Sequence, residues 1–141
     1  MTTARLSRQV VYGKNGMVCT NSPLSAAAGL KMLQEGGNAF DAALATAATE
    51  TVTMVPMCGI GGDSFILLYE AENSRVTGIS SAGVPGSGTS ADYYRKQGLT
   101  KMPLEGPHSV GVPGEVAAWE EVHRRFCSKP FEQLLDSAIG Y

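Results

Sequence analysis

Between Pro23 and Pro56 two helix-forming runs are split only by Gly36-Gly37, and this stretch constrains the fold more than any other. Asn21-Ser22-Pro23 opens the first run, with Ser22 as N-cap and Pro23 at the first helical position, where its missing N–H has no partner to lose. The run extends to about Glu35 and presents Ala26, Leu30 and Leu33 at helical spacing, with Ala27 widening the stripe. Gly36-Gly37 stops it, because glycine enters the left-handed conformation that ends helices without a Cβ penalty. Asn38 then caps a second helix, with Asp41 three residues on as reciprocal partner at the positive end of the helix dipole. Its expected face is Phe40, Ala43, Leu44, Ala47, Thr51 and Met54, and Pro56 ends it. Alanines on that face allow close packing against a sheet or another helix. Composition agrees: aromatics are 7% of residues and there are 17 glycines, so the core packs by close approach of small side chains more than by large rings.

Residues 16–20 (GMVCT) read as a short strand ahead of the first helix. Beyond Pro56 comes Cys58-Gly59-Ile60-Gly61-Gly62-Asp63, then an apolar run over 65–69 that lacks alternation and so predicts a strand buried on both faces. Turn-forming residues 70–74 separate it from 75–80, which predicts a hairpin. Residues 82–89 (AGVPGSGT) are a loop, Ser90 caps a short helix over 91–97, and Gly98 closes it. A second loop over 99–108 leads to a strand-like segment at 109–113. Residues 115–126 then predict a helix burying Val116, Trp119, Val122 and Phe126. Pro130 opens a last helix, whose Phe131, Leu134, Leu135, Ala138 and Ile139 are still periodic where the sequence stops without a C-cap. The fold class is α+β, and residues 1–141 read as one contiguous but incomplete piece of structure.

At 141 residues the chain is long enough for a core, since a domain of ~150 residues buries roughly 70% of its unfolded surface. Its net charge of −2, spread without blocks of one sign, argues against nucleic-acid or membrane-surface partners. Residues 1–9 are polar and basic with no apolar core of an export signal, and no window approaches the ~18 apolar residues of a membrane span. Cys19, Cys58 and Cys127 are odd in number and contain no CxxC pair, so neither a disulfide framework nor a zinc site is indicated. They are expected to be reduced and buried, in a cytoplasmic setting. No metal or cofactor is expected, because potential ligands are scattered.

The glycine cluster does not match a dinucleotide fingerprint, which needs a strand before the glycines and a helix after them; here the order is inverted and Ser64 occupies the third glycine position. The favoured reading is a tight bend in which Gly59, Gly61 and Gly62 let the backbone approach another segment closely. There is no GxSxG elbow, and His108 and His123 lack a triad context: His123 reads as a partly exposed helix residue, and His108, in a glycine and proline loop, as a maker of a loop hydrogen bond in preference to a binding residue. Ser80 and Ser81 stand at a strand end ahead of a glycine-rich loop, a place that commonly supplies ligand contacts, though serine there is also ordinary turn chemistry.

The ordered motifs GGNAFDAA, GIGGDSF and SVGVPGEV, with KPFEQLLDSAI after them, resemble the N-terminal part of the large subunit of the gamma-glutamyltransferase (gamma-glutamyltranspeptidase) family, from about Gly16 onward. The resemblance implies a partial αββα sandwich of the N-terminal nucleophile (Ntn) hydrolase type, made as a precursor that cuts itself into a large and a small subunit. In such enzymes a threonine exposed at the small subunit's N-terminus attacks a gamma-glutamyl or related small amide, and the acyl group passes to water or an amine. Its own α-amine, with a pKa of roughly 7.7–8.0, is a suitable base for a hydroxyl nucleophile. No threonine here lies in a Thr-Thr-His run. The resemblance therefore implies a chain with no catalytic residue, inactive alone, whose partners are the remainder of the precursor with its small catalytic subunit and a small-molecule amide substrate.

One departure bears on that substrate. Family members that bind the gamma-glutamyl α-carboxylate carry Arg-Glu-Thr-Ala-Pro after the second hairpin strand, whereas this sequence has Ser81-Ala82-Gly83-Val84-Pro85. A hydroxyl does not replace a bidentate guanidinium, so the chain is more similar to the branch of acylases and amidohydrolases. On this resemblance Ser80 and Ser81 line the acyl pocket and Gly59, Gly61 and Gly62 lie near it. The rival from another class is a truncated, non-catalytic structural or interaction module.

Overall fold

The computed structural model describes residues 10–141, in the order α1 (Pro23–Gln34), α2 (Ala39–Thr53), β1 (Phe65–Glu70), β2 (Arg75–Ser80), α3 (Ala91–Lys96), a 3-10 turn (Pro107–Ser109), α4 (Glu115–Phe126) and α5 (Phe131–Gly140). The segment read above as lacking an export signal, residues 1–9, lies outside the described residues. Helices plus a small sheet give the α+β class.

Helix α1 starts as its cap predicts: Ser22 accepts from the Ser25 N–H at 3.4 Å, and Pro23 occupies the first turn. It ends at Gly36, whose φ of +77° is the left-handed conformation expected there. Its buried face is not the leucine stripe, however. Ser25, Ala28, Gly29 and Met32 are buried, while Leu30 remains 45% exposed. Close approach to α2 explains the rotation, because a Cβ at Gly29 would run into the Thr46 hydroxyl and lie 2.9 Å from the Ala42 carbonyl. The Ser25 and Thr53 hydroxyls meet at 2.9 Å along the same seam.

Helix α2 is the centre of the molecule. The Asn38 side chain accepts from the N–H groups of Phe40 and Asp41 at 2.8 and 2.9 Å, and Asp41 accepts from the Asn38 N–H at 2.7 Å, so the expected reciprocal cap is present. Its burial is wider than the predicted face: Ala42, Leu44, Ala45, Thr46, Ala48 and Thr49 are all buried, while Ala43 is exposed. One side packs on α1 and another on α4 and α5, which a single-stripe reading does not anticipate. Thr46 and Thr49 donate back to the Ala42 and Ala45 carbonyls at 2.7 and 2.8 Å, which satisfies their buried hydroxyls.

Met32, Leu44, Leu68, Trp119, Val122 and Leu134 form the core with the α2 alanines. On α4 the buried residues are Ala118, Trp119 and Val122; Val116 is 47% exposed and Phe126 only partly buried, unlike the prediction. Leu134 of α5 is fully buried, whereas Ile139 is exposed.

Asp41 also ties the α1–α2 turn to the α4–α5 turn. Its carboxylate accepts from the Ser128 hydroxyl at 2.6 Å and from the Ser128 and Lys129 N–H groups at 3.0 Å each. Beside it Asn38 donates to the Phe126 carbonyl at 2.8 Å. Burial opposes ionisation of Asp41, but the Ser128 hydroxyl and the N–H groups of Asn38, Lys129 and Ser128 together outweigh it and hold the carboxyl below its ordinary value.

The hairpin forms as predicted, antiparallel, with register from Phe65↔Ser80 to Glu70↔Arg75. Strand β1 is not buried on both faces. Ile66 and Leu68, with Ile79 across from Ile66, pack toward the helices, while Phe65, Leu67 and Tyr69 stand exposed on the other face with Val76. Among the described residues nothing covers that outer face, so a run chosen for two-sided burial is buried on one side. Residues 16–20 and 109–113 form no strand: they pair with no strand among the described residues, and Val18 instead packs on the helical core.

Cys19 is exposed, against expectation, because the segment that carries it runs over the surface; Cys58 and Cys127 are half-buried, and all three are free. Burial first, and then the neighbouring Asp41 carboxylate, push the Cys127 thiol up to about 12. Among the described residues, no helix is long and apolar enough to cross a membrane and no cluster of side chains suits a metal ion.

Candidate functional site at the base of the hairpin

Three segments converge where the hairpin meets α4: residues 62–64, 81–83 and 112–115. Ser81, one residue past β2, donates its N–H to the Ser64 carbonyl at 2.9 Å, and its hydroxyl accepts from the Ser64 N–H at 2.7 Å. The same hydroxyl lies 3.2 Å from the Ser64 carbonyl as a donor, so Ser81 closes the base of the hairpin with both backbone and side chain. Ser80 sits opposite Phe65 and therefore on the open face of the hairpin, exposed. Of the two serines chosen from sequence, Ser80 has its hydroxyl at the open face and Ser81 has its hydroxyl engaged.

Glu115, the first residue of α4, joins this base to the core. The N–H groups of Gly114 and Glu115 donate to the Gly62 carbonyl at 2.9 and 3.1 Å. One Glu115 carboxylate oxygen accepts from the Ser64 hydroxyl and the other from the Trp119 indole N–H at 2.6 Å. Gly114 is buried, and a Cβ there would run into the Ser81 carbonyl. A Cβ on Gly83 would likewise collide with Val112.

Close approach is thus real here, but different glycines make it. Gly59 and Gly61 face open space, and a Cβ on Gly62 would lie 3.2 Å from the Gly59 carbonyl. None of the three has a positive φ, so the expected need for glycine at Gly59 and Gly61 is not met among the described residues. The bend is held by its carbonyl at Gly62, which any residue possesses.

Beside this junction a cavity of about 610 Å³ runs between α2 and β1. Glu50, Asp63 and Glu115 line it, and no lysine, arginine or histidine does. Its floor is apolar, including Leu44, Leu68 and Trp119. Such a lining disfavours an anionic group and offers no clamp for a carboxylate.

The two histidines lie apart from this junction's bonds. His108 sits in the 3-10 turn with its ring edge-on to Tyr94 at 5.4 Å, and among the described residues this aromatic contact stands where a loop hydrogen bond was expected. His123 is partly exposed on α4, as read from sequence, with Nε2 3.0 Å from the Lys129 carbonyl and its ring against Phe131. Ser64, Gly114 and Glu115 were not singled out from sequence. The signal available for Glu115 was its place after Pro113-Gly114 at a helix start, four residues before the sole tryptophan.

Comparisons with known proteins define the class first. The fold resembles the crystal structure of a cephalosporin acylase from Bacillus halodurans with a TM-score of 0.85 at 39% identity, over 96% of this chain and 25% of that one. It also resembles the gamma-glutamyltranspeptidase of Helicobacter pylori with a TM-score of 0.81 at 32% identity, over 93% of this chain and 38% of that one. The family model for gamma-glutamyltranspeptidase matches residues 25–141, and the chain belongs to this family. Among relatives, the glutathione hydrolase-like YwrD proenzyme of Bacillus subtilis (strain 168) is 36% identical over 93% of this chain and 25% of its own length. The acylase ACY 1 proenzyme of Pseudomonas sp. (strain V22) is 40% identical over 91% of this chain and 24% of its own length. The chain spans about a quarter of the length of these relatives.

Proposed function

We propose that the chain is the N-terminal part of the large subunit of an Ntn hydrolase that cleaves or transfers acyl groups at the C–N bond of small amides. The observation that carries the reading is the open face of the hairpin, where Phe65, Leu67, Tyr69 and Val76 are exposed and Ser80 lies at the strand end. A second sheet laid on those side chains would complete an αββα sandwich, with Ser80 between the sheets at their edge. The remainder of the precursor supplies that sheet and the catalytic threonine, because no Thr-Thr-His run occurs in this chain. Ser80 and Ser81 line the acyl pocket, Ser80 by its hydroxyl and Ser81 by the shape of the strand end. Gly59, Gly61 and Gly62 lie beside it, where the open space around Gly59 and Gly61 leaves room for the incoming segment. The names of the relatives, glutathione hydrolases and acylases, support amide chemistry in general.

Ser81 stands where glutamyl-binding members carry arginine, and its hydroxyl is engaged by Ser64. The acyl group is therefore one that needs no α-carboxylate clamp. The test is to express the chain with its natural downstream sequence and compare gamma-glutamyl para-nitroanilide with gamma-aminobutanoyl para-nitroanilide, which lacks only the α-carboxylate. Processing into two subunits is expected, with kcat/KM for the two anilides within about tenfold, less than the worth of a charge-assisted bidentate pair. A preference for the gamma-glutamyl group of about a hundredfold would overturn the substrate reading. A downstream sequence with no nucleophile motif, and no turnover, would favour a non-catalytic module.

A further inference from the structure

We infer that Glu115 is a positioning residue for the acyl pocket: it fixes the strand end that presents Ser80, and the inference rests on the reading of that strand end as a pocket wall. The Ser81 hydroxyl is engaged by the Ser64 backbone, so Ser80 is the serine here whose side chain faces the open side of the sheet. Where Ser80 stands depends on the base of the hairpin, and its ladder fixes the two strands against each other without fixing either against the helices. Ile66, Leu68 and Ile79 pack the inner face on the helices, and at the base itself residues 114–115 make the polar part of that second connection. Their N–H groups hold the Gly62 carbonyl on one side of the base, and the Glu115 carboxylate takes the Ser64 hydroxyl on the other.

The carboxylate is itself anchored. Its second oxygen accepts from the indole of Trp119, which is 5% exposed in the core, so the chain of bonds runs from core to Glu115 to Ser64 to the Ser64–Ser81 pair and ends beside Ser80. A carboxylate carries two acceptor oxygens, and Glu115 uses one at each end of the link. Removing the link leaves the hairpin paired and the core filled, but frees the strand end to shift. Because Ser80 is a pocket-wall group and not a reacting one, that shift weakens substrate binding more than it slows the chemical step.

The experiment uses the processed two-subunit enzyme with gamma-aminobutanoyl para-nitroanilide as probe. Glu115→Ala and Ser64→Ala are expected to raise KM about tenfold while kcat changes far less, because binding-pocket geometry is lost and the downstream nucleophile is untouched. Glu115→Gln is expected to recover most of the loss, since its amide oxygen accepts from the Trp119 indole and its amide nitrogen donates to the Ser64 hydroxyl. A purely structural role would lower the melting temperature of all three variants without that split between KM and kcat. Should Glu115→Ala fail to mature, Ser64→Ala alone decides, because it keeps every backbone bond of the base. If Ser80→Ala raises KM but Ser64→Ala and any mature Glu115→Ala enzyme leave it unchanged, the inference is overturned and the pocket reading stands. If Ser80→Ala also leaves KM unchanged, the pocket reading fails and takes the inference with it.

Discussion

Replacing Asp41 is the most demanding test of how this chain holds together. Its side chain receives four donors: the Asn38 N–H at 2.7 Å, the Ser128 hydroxyl at 2.6 Å, and the Ser128 and Lys129 N–H groups at 3.0 Å. At about 1.5–3 kcal/mol for each bond to a charged group the plain sum is about 6–12 kcal/mol, comparable to the whole stability of an ordinary domain. That sum is too large, because burying the carboxylate costs several kcal/mol that truncation recovers. What remains for Asp41→Ala is the cost of stranded donors, three of them backbone N–H groups, and about 3–5 kcal/mol is expected. Asp41→Asn keeps one acceptor oxygen but turns an NH2 toward at least one backbone N–H, so about 1.5–3 kcal/mol is expected.

Urea unfolding followed by fluorescence of Trp119, the one tryptophan, reads these differences directly. The pH dependence supplies a second check. Because the folded carboxyl titrates below its ordinary value of 3.8, its stabilisation is fully present well above that pH and is lost as pH falls through the folded value. The gap between parent and Asp41→Asn should therefore be widest well above the ordinary carboxyl value and narrow as the pH falls through it. An Asp41→Ala chain within about 0.5 kcal/mol of the parent, or a gap indifferent to acid, would refute the reasoning.

Gly29→Ala should destabilise by about 1–3 kcal/mol although alanine is the better helix former, because the new Cβ meets Thr46 at the α1–α2 seam; an unchanged urea midpoint would show that the seam can open freely. Gly114→Ala should be at least as costly, since its Cβ meets the Ser81 carbonyl, whereas Gly59→Ala and Gly61→Ala should fall within about 0.5 kcal/mol of the parent. A thermal-melt series over these three positions checks the order, and a costly Gly59→Ala would restore the tight-bend reading. With a thiol disulfide reagent near neutral pH, exposed Cys19 should label well before Cys127, whose thiol is pushed up to about 12; equal rates would contradict the burial beside Asp41.

Helix starts were the most legible part of the sequence, because a cap is a local event: Ser22-Pro23, the Asn38/Asp41 box and Ser90 each act within one turn. Faces were less legible. Counting leucines on α1 selected Leu30, but the seam with α2 needs the absence of side chain at Gly29, and a hydrophobic stripe does not register a missing atom. For β1 the apolar run was visible, while its exposure depends on which layers lie nearby, and that is not encoded in six residues. The site divided in the same way. Ser80 and Ser81 were found as a strand end, yet their unequal roles depend on Ser64, seventeen positions earlier, and on Glu115, which joins the base through a contact spanning fifty-one positions.

The two polar nodes explain why the helical layer can carry a sheet that is covered on one side only. Asp41 locks the turn between α1 and α2 to the turn between α4 and α5 through bonds in which the hairpin takes no part. Glu115 then fastens the hairpin base to α4, and Leu68 enters the core from the inner face. Neither node draws on Phe65, Leu67, Tyr69 or Val76. Those four side chains are consequently free to serve a second layer, and a charge placed on one of them should leave the helical layer's stability nearly unchanged. The same charge should weaken assembly with the proposed remainder of the precursor, because burying it there carries a cost that exposure does not. Co-expression of a Leu67→Lys chain with that remainder separates the two effects: retained urea stability with lost assembly is the expected result, and retained assembly would place the second sheet elsewhere.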